Sequence, residues 1–271
     1  MSAVPGTIVI TGAAGGMGNP AAIRLAAKGR PLLLCDLRPE PVEALAAVLR
    51  GTGAQIGTLA GDIAAPDFPE RILEALGDAA IGGLIHTAGL SPTMADGARI
   101  FEVNYYATER LAAGLRPRFS AGGCAVLISS VSGYMLSDPV LLAAIRTFVA
   151  SGDRSGIEQV MADPGMAYAV SKRAVMALVE RDATAFGTGG ARIASIAPGF
   201  IDTAMGRAEA DSNAQMRAMI GMVPQQRMGH GDEIAAVAEF LCSPAASYIS
   251  GCDIRVDGGI VGLLGMKAAG Q

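Results

Sequence analysis

A tyrosine and a lysine lie four residues apart in the segment GMAYAVSKRAV, residues 165–175. The segment predicts a helix, and side chains four residues apart leave a helix from one face, about one turn apart. A phenol ionises near pH ~10, too high for a base at neutral pH, but a nearby ammonium favours the phenolate and lowers its pKa. Tyr168 and Lys172 could therefore transfer a proton. The spacing alone is weak, because a surface pair on an amphipathic helix has the same pattern.

A glycine-rich segment, TGAAGGMG (residues 11–18), joins a strand-like run to a helix-like run near the start of the chain. Its glycines let the backbone turn tightly and approach a pyrophosphate, which the N–H groups of the following helix then face. The strand before it and the helix after it favour a dinucleotide site over a turn that binds nothing. The candidate cofactor contacts are Gly12, Gly16, Met17 and Gly18.

Asp36 ends the second strand-like run, 18 residues after Gly18. A carboxylate there accepts hydrogen bonds from an adenosine ribose and repels a 2′-phosphate, which favours NAD over NADP. Arg38 is a competing feature, because a nearby arginine can accommodate a 2′-phosphate. The glycine-rich turn contains no lysine or arginine, so we expect Asp36 to decide the preference for NAD.

Two further strand ends supply candidate cofactor contacts. Asp62 and Ile63 end the third strand-like run, where the rim of a parallel sheet would meet an adenine ring. Ala88 and Gly89 follow the fourth run and lack the bulk to block a cofactor. His86 could suggest catalysis, but a lone histidine at a strand end is more often structural.

Strand-like and helix-like segments alternate along the chain. This pattern predicts βαβ units, hence an α/β fold with a Rossmann-type doubly wound parallel sheet of about seven strands in one domain over 1–271. The predicted strands are 7–11, 31–36, 54–62, 81–89, 124–130, 191–197 and 253–256. The predicted helices include 19–29, 39–51, 66–76, 96–115 and 231–242.

The composition narrows the classes of function. With 51% hydrophobic and 17% charged residues, the 271-residue chain can bury a large core. The net charge of −4 gives no reason to expect nucleic acid or an anionic membrane as partner. No apolar run is long enough for a membrane span, and the N-terminus does not resemble a signal peptide. Four cysteines without C-x-x-C spacing and two distant histidines argue against zinc, so we predict no metal and a cytoplasmic, reducing location.

Four features in this order resemble the short-chain dehydrogenase/reductase family: the strand–TGxxxGxG–helix start, the acidic end of the second strand, the Ala-Gly turn after the fourth strand, and Tyr-x-x-x-Lys in a helix. The resemblance covers nearly the whole chain and includes the late VDGG, residues 256–259. It implies an oxidoreductase that uses a nicotinamide cofactor, and it favours a catalytic role for Tyr168 and Lys172.

The resemblance adds site residues by matching motifs. The family's catalytic serine matches Ser130, the second serine of VLISSVSG, and its helix asparagine matches Asn104 in FEVNYYAT. The turn APGFIDTAM (residues 197–205) would bring Ile201 and Thr203 near the nicotinamide carboxamide.

The resemblance also implies a mechanism. Tyr168 would take the proton of a substrate alcohol while hydride passes to NAD, and Ser130 would hydrogen-bond and polarise the substrate oxygen. Lys172 would lower the pKa of Tyr168 and hold the nicotinamide ribose. Asn104 would keep a water behind Lys172, through which the proton reaches solvent.

Two departures from the family pattern are visible. Thr87 stands where the family has an asparagine, which alters a contact that braces the backbone. Ser130 and Tyr168 are 38 residues apart, far more than is usual in the family, because of an insertion over about 135–164. In this respect the chain is similar to the bacterial 3α-hydroxysteroid dehydrogenase/carbonyl reductase branch, where such an insertion is associated with subunit contact.

The insertion predicts two short helices, over 139–150 and 153–162. The first, PVLLAAIRTFVA, is too apolar for a solvated flap and needs a cover. We expect a second subunit to supply it, and hence a homodimer or homotetramer. The insertion could also cover the active site.

The substrate pocket is expected at the carboxyl ends of the strands, with walls from the insertion and from a loop over about 204–224. Its candidate lining residues are Ser130, Tyr134, Met135, Tyr168 and Met205. The loop is rich in methionines, which suit an irregular apolar ligand or, alternatively, pack the loop onto the body. These methionines are Met205, Met216, Met219 and Met222.

The sequence thus predicts an NAD-dependent alcohol dehydrogenase or ketone reductase for an apolar carbonyl compound, steroid-like, cyclic or otherwise hydrophobic. The alternative is a dinucleotide-binding regulator or scaffold that does not catalyse. The presence of all four catalytic residue types favours the enzyme.

Overall fold

Seven parallel strands form one sheet in the computed structural model, which describes residues 3–268. The strand order β3-β2-β1-β4-β5-β6-β7 confirms the predicted doubly wound fold. The strands are β1 (Thr7–Thr11), β2 (Leu32–Asp36), β3 (Ile56–Ala60), β4 (Ile81–His86), β5 (Phe119–Ile128), β6 (Arg192–Pro198) and β7 (Asp253–Val256).

Helices cover both faces of this sheet. The α-helices are α1 (Gly18–Ala26), α2 (Pro39–Arg50), α3 (Phe68–Leu76), α4 (Gly97–Phe101), α5 (Ala107–Leu115), α6 (Val131–Met135), α7 (Pro139–Ser151), α8 (Pro164–Thr188), α9 (Ala204–Ser212), α10 (Ala214–Ile220), α11 (Gly231–Leu241) and α12 (Ile260–Ala268). Short 3₁₀ segments are Arg116–Arg118, Val160–Ala162 and Pro244–Ala246.

The two faces of the sheet carry separate hydrophobic cores, because successive side chains of a strand point to opposite faces. In β1, Val9 packs into the core under α5 and α8, while Ile8 and Ile10 pack into the core under α1 and α11. A strand buried on both faces reads as a continuous apolar run, as TIVI does here.

The predicted helix over 96–115 is interrupted in its middle. Asp96 caps α4 by accepting a hydrogen bond from the backbone N–H of Arg99 at 2.8 Å. Between α4 and α5 the chain forms a π-helical segment, Glu102–Tyr106, which contains Asn104. A π segment widens the turn and commonly occurs at functional positions.

The insertion differs from its prediction in two respects. The first predicted helix is present as α7, but 153–162 forms turns that end in the 3₁₀ segment Val160–Ala162. The apolar side of α7 packs onto α8 and into the protein's own core, where Phe148 is 3% exposed. The expectation that a second subunit must cover this run is therefore wrong for its buried side chains, which face the body, whereas Val140 is 75% exposed. Those buried residues of α7 are Leu141, Ile145, Phe148 and Val149.

Candidate active site

Ser130 lies just past the carboxyl end of β5, where the strand turns into the short helix α6. Its side chain caps α6 by accepting a hydrogen bond from the backbone N–H of Ser132 at 3.2 Å. Its hydroxyl also donates to the Ser132 hydroxyl at 3.3 Å, a long bond that a substrate oxygen could replace as acceptor. Ser130 is largely buried, at 7% exposure.

Helix α8 brings Tyr168 and Lys172 to the same edge of the sheet. Asp163 caps the helix by accepting a hydrogen bond from the N–H of Met166 at 2.7 Å, and Pro164 starts it. The Lys172 ammonium lies 5.8 Å from the centre of the Tyr168 ring and donates to the carbonyl of Ile128 at 2.9 Å. Tyr168 and Lys172, predicted to lie one turn apart on the same face of a helix, thus lie in the same site.

Burial dominates the proton affinities of this pair. Burial raises the pKa of Tyr168 to about 12; the hydrogen bond with Ser130 lowers it and the charge of Glu209 raises it. Burial also lowers the pKa of Lys172 to about 8. Burial outweighs the other influences on Tyr168, because the loss of hydration at both groups disfavours their charged forms, and a lowering of the Tyr168 pKa by Lys172 stays a prediction.

Asn104 fixes the loop that follows β4. Its side-chain oxygen accepts from the N–H of Leu90 at 2.8 Å, and its amide donates to the carbonyl of Leu90 at 2.9 Å. A Cβ atom on Gly89 would lie 3.1 Å from the Asn104 oxygen and 3.6 Å from Lys172 Nζ. The loop therefore passes close to both Asn104 and Lys172. The water that Asn104 would hold behind Lys172 stays a prediction.

Thr87, at the position where the family has an asparagine, braces the backbone through its hydroxyl. Its hydroxyl donates to the carbonyl of Thr11 at 2.8 Å, which ties β4 to the start of the glycine-rich loop. The neighbouring His86 is fully enclosed between the hydroxyls of Thr11 and Thr108, at 2.6 Å and 2.9 Å. Burial lowers the pKa of His86 to about 3, so this imidazole is neutral and structural, as the sequence suggests.

The glycine-rich loop has the close approaches that exclude larger residues. Gly12 has a φ of +66°, and a Cβ on Gly18 would lie 2.2 Å from the Gly12 carbonyl oxygen. A Cβ on Gly16 would lie 2.4 Å from the Thr203 methyl group. Thr203 also caps α9, accepting from the N–H of Gly206 at 3.0 Å, so the loop after β6 is locked against the glycine-rich loop.

Asp36 lies beside this loop at the end of β2. Its carboxylate accepts from the backbone N–H of Ala14 at 2.9 Å and of Leu37 at 2.8 Å. The charge is thus held at the point where the glycine-rich loop passes the second strand. Arg38, the competing residue, lies exposed at the N-terminus of α2.

Asp62 and Ile63, predicted to meet an adenine ring, follow β3 and differ in exposure. Asp62 pairs with Arg99 at 2.5 Å and accepts from the N–H of Ala64 at 2.9 Å. The side chain of Ile63 packs into the hydrophobic core, at 9% exposure. Ile63 therefore does not offer its side chain as the expected wall for an adenine ring.

Two adjoining cavities meet at the catalytic candidates. The smaller, about 110 Å³, touches the glycine-rich loop, the loops after β4, β5 and β6, and α8. Among its lining residues are the predicted Met17, Gly89, Ser130, Tyr168, Lys172, Ile201, Thr203 and Met205. The larger, about 670 Å³, extends between α6, α8 and α10. Its lining includes Thr93, Ser130, Ser132, Met135, Tyr168, Phe200, Glu209, Asn213, Gln215, Met216 and Met219.

Tyr134 points away from both cavities, contrary to its prediction. Its hydroxyl donates to Asp253 Oδ2 at 3.0 Å, while Asp253 Oδ1 accepts from Ser129 and Ser195, each at 2.5 Å. The register of β6 and β7 places Ser195 opposite Asp253. Asp253 therefore ties β6 and α6 to Ser129, the residue before Ser130.

Glu209 is a cavity residue that sequence reasoning missed. It lies on α9 four residues after Met205, so the two side chains leave the same face of that helix. Both line the smaller cavity, and Glu209 lines the larger one as well. The helical spacing from a predicted pocket residue is the feature by which it could have been found.

The residues at this site fit a nicotinamide dinucleotide. The glycine-rich loop approaches without side chains, and an acidic group lies at the end of β2. The hydrogen bond to Ile128 uses one of the three protons of Lys172, which lines the smaller cavity and can donate to the hydroxyls of a ribose there. Neither a group of side chains arranged to hold a metal ion nor a helix able to span a membrane occurs within residues 3–268.

Comparisons with known proteins agree with this geometry. The family model described as short chain dehydrogenase matches residues 6–140, and that described as Enoyl-(Acyl carrier protein) reductase matches residues 152–261. The short-chain dehydrogenase/reductase bsc3 of Alternaria brassicicola is 31% identical, over 95% of this chain and 96% of that protein. This chain belongs to the short-chain dehydrogenase/reductase family of oxidoreductases.

Two relatives belong to the branch that the insertion suggested. The 3-alpha-hydroxysteroid dehydrogenase/carbonyl reductase of Comamonas testosteroni is 30% identical, over 93% of this chain and 95% of that protein. The crystal structure of the 3-alpha-hydroxysteroid dehydrogenase from Pseudomonas sp. B-0831 complexed with NADH aligns with a TM-score of 0.77 at 26% identity, covering 96% of this chain and 99% of that one.

Proposed function

We propose that the protein is an NAD(H)-dependent oxidoreductase that interconverts a secondary alcohol and a ketone with an apolar body. The observation that carries this proposal is that Ser130 and Tyr168 line both cavities, with Lys172 beside them in the smaller one. Such an arrangement offers a proton donor and an oxygen-binding hydroxyl to one substrate oxygen.

The mechanism follows from the positions of these side chains. In the direction of reduction, Ser130 donates a hydrogen bond to the carbonyl oxygen, and Tyr168 delivers its phenolic proton to the same oxygen. Bound NADH supplies the hydride, and the protein supplies placement and charge. The phenolate left on Tyr168 is stabilised by the nearby ammonium of Lys172 and regains its proton from solvent.

The pKa values also indicate why the substrate cavity and the cofactor site must act together. Burial keeps Tyr168 protonated at neutral pH, as a proton donor requires. In the direction of oxidation Tyr168 must instead accept a proton, which burial opposes. The positive charge of an oxidised nicotinamide ring would favour the phenolate in that direction.

The choice of NAD(H) over NADP(H) is supported by Asp36. Its two backbone hydrogen bonds hold the carboxylate at the end of β2, where it would repel a 2′-phosphate. The NADH that the Pseudomonas structure contains belongs to a protein of the same family. For this chain the preference is our proposal.

The apolar body of the substrate is supported by the larger cavity. Its walls include Met135, Phe200, Met216 and Met219, of which Phe200 is buried in a small hydrophobic cluster. Met216 and Met219 pack against the same cluster and line the cavity, so both roles considered for these methionines are met by one arrangement. The adaptable thioethers suit a cyclic or otherwise irregular hydrocarbon.

The location and assembly are also proposals. Three of the four cysteines, Cys35, Cys124 and Cys242, are buried and free, in keeping with a reducing, cytoplasmic setting. A homodimer or homotetramer is retained as a proposal, now without support from the buried side of α7.

The test is NADH oxidation over a panel of cyclic and steroidal ketones, measured at 340 nm for the protein and for Tyr168→Phe. We expect turnover of at least one ketone, and a loss of roughly 10³-fold in kcat/KM for Tyr168→Phe with NADH affinity retained. NADH that binds tightly without turnover of any carbonyl would instead favour the regulator. Equal activity of the two proteins would remove Tyr168 from the mechanism.

A further inference from the structure

Glu209 brings a carboxylate into the reaction cavity. It lies on α9, in the wall that the two cavities share with Ser130 and Tyr168. Its side chain is half-buried, and its Oε1 atom is shielded from solvent. A charged side chain in this position loses much of its hydration, which must be offset by partners in the cavity.

The protein supplies one such partner from the loop after β4. Ser91, which is 1% exposed and whose hydroxyl lies 3.1 Å from that of Thr93, is near enough to lower the pKa of Glu209 through a hydrogen bond. Burial raises the pKa of Glu209, and the bond from Ser91 opposes that rise. A carboxylate can accept about four hydrogen bonds, so a partner within the protein does not exclude a further bond from a ligand.

The position of Glu209 is unfavourable for proton transfer alone. Its negative charge raises the pKa of Tyr168, which hinders formation of the phenolate. An apolar residue at this position would bind a purely hydrocarbon substrate better and would not oppose the phenolate. The carboxylate is therefore better explained by a group on the substrate that it binds.

We propose that Glu209 accepts a hydrogen bond from a hydroxyl group that the substrate carries in addition to its reacting oxygen. The substrate would then be a hydroxyketone, or the corresponding diol, with an apolar ring or chain between the two oxygens. This inference rests on the proposed function and narrows its substrate class. It identifies Glu209 as a specificity-determining residue.

The other polar groups of the larger cavity favour a hydroxyl over an ammonium. They are hydroxyls and amides, whose N–H and O–H groups need acceptors; a substrate hydroxyl can accept as well as donate, whereas an ammonium only donates. These residues are Thr93, Ser132, Asn213 and Gln215. Sites that hydrogen-bond a substrate hydroxyl reject the analogue without it, because their own polar groups are then left unpaired.

The experiment compares matched pairs of cyclic ketones with and without one hydroxyl, placed at each ring position in turn, and includes the amino analogues. Steady-state reduction with NADH is measured for the protein, Glu209→Leu and the isosteric Glu209→Gln. Asp211→Asn, an exposed change on the same helix, is the matched control. NADH affinity, followed by fluorescence, and circular dichroism report whether each variant is folded.

We expect kcat/KM of the unmodified protein to be at least about tenfold higher for the best hydroxyketone than for its unsubstituted partner. Glu209→Leu should abolish this ratio, Glu209→Gln should weaken it, and Asp211→Asn should keep it. If Glu209→Leu does not fold, the proposal is tested by whether Glu209→Gln weakens the kcat/KM ratio between the hydroxyketone and its unsubstituted partner.

Three results would overturn the proposal. They are an absence of hydroxyl preference in the unmodified protein, a preference that survives in Glu209→Leu and Glu209→Gln, and amino analogues that are better substrates than the hydroxyketones. Each of these leaves ketone reduction intact and so contradicts the role of Glu209 alone. Failure to reduce any ketone with NADH bound would overturn the proposed function and, with it, this inference.

Discussion

Lys172 and Ile128 are joined by a hydrogen bond of 2.9 Å from the buried ammonium to a main-chain carbonyl. Ile128 is the last residue of β5, and Ser130 follows two residues later. The bond therefore fixes α8 against the strand that presents Ser130, and it sets Tyr168, one turn before Lys172, against the same cavity wall. A single contact between residues 44 positions apart joins the two halves of the site.

The Lys172 ammonium that makes this bond is buried, and burial destabilises its charged form. Replacing Lys172 by methionine removes an ammonium whose pKa burial lowers from 10.5 to about 8. We expect Lys172→Met to be more stable than the unmodified protein by about 1–2 kcal/mol at neutral pH without cofactor, after allowing for the Ile128 carbonyl left unpaired. Urea unfolding measures this gain, and NADH fluorescence should show weakened cofactor binding.

The gain should depend on pH with a defined sign. Below pH 8 the lysine is protonated in both states, and its full burial cost is present. Between pH 8 and 10.5 the unfolded chain binds more protons, so the stability of the unmodified protein rises with pH. The advantage of Lys172→Met should therefore shrink over this range. The control is Lys267→Met, at an exposed lysine, and an advantage that does not change with pH would contradict the burial of charge as its cause.

Asp36 should set the cofactor preference through its charge. Asp36→Asn keeps the size of the side chain and one acceptor for the Ala14 and Leu37 N–H groups, but loses the charge that repels a 2′-phosphate. We expect it to raise the kcat/KM for NADPH relative to NADH by about tenfold or more, and Asp36→Ala to do the same. The exposed Glu40→Gln on α2 is the control. If the unmodified protein already prefers NADPH, Arg38 and not Asp36 determines the cofactor preference.

Tyr134 should support the site without touching the substrate. Because its hydroxyl donates to Asp253, Tyr134→Phe removes a hydrogen bond to a charged group and should cost about 1–2 kcal/mol of unfolding free energy. The KM for ketones should stay within about twofold, since the ring lies outside both cavities. Thermal unfolding and steady-state kinetics measure the two effects. A large rise in the KM of Tyr134→Phe at unchanged stability would indicate that Tyr134 contacts the substrate.

Phe148 should matter for folding, not for assembly. Its ring packs within 5.0–6.0 Å of the rings of Phe101, Tyr105 and Tyr106, measured between centroids. We expect Phe148→Ala to cost about 3–4 kcal/mol in urea unfolding, as truncation of a buried aromatic residue does.

The predicted homodimer or homotetramer can be tested at another residue of α7, one that is exposed. Val140 is 75% exposed, and if α7 contributes to an interface, Val140→Asp should reduce the mass seen by light scattering without loss of stability. An unchanged mass would take α7 out of the interface.

The sequence by itself determined the sheet and most of the catalytic set. Apolar strand runs and helical periodicity are local properties, so the alternation of βαβ units was readable before any contact was known. The glycine-rich loop, Asp36 and the Tyr168–Lys172 spacing are likewise fixed within a few residues of chain. Ser130 and Asn104 came from matching family motifs, and the structure places both beside this pair.

Only the tertiary structure decided what surrounds these residues. The apolar side of α7 packs into the protein's own core, and the 153–162 segment forms turns. The hydroxyl of Tyr134 donates to Asp253, 119 residues later in the chain. The direction of the Tyr168 pKa and the entry of Glu209 into the cavity were decided in the same way. Burial and charge at a site are sums over neighbours from distant segments, and these neighbours are brought together only when the whole sheet and its helices have packed.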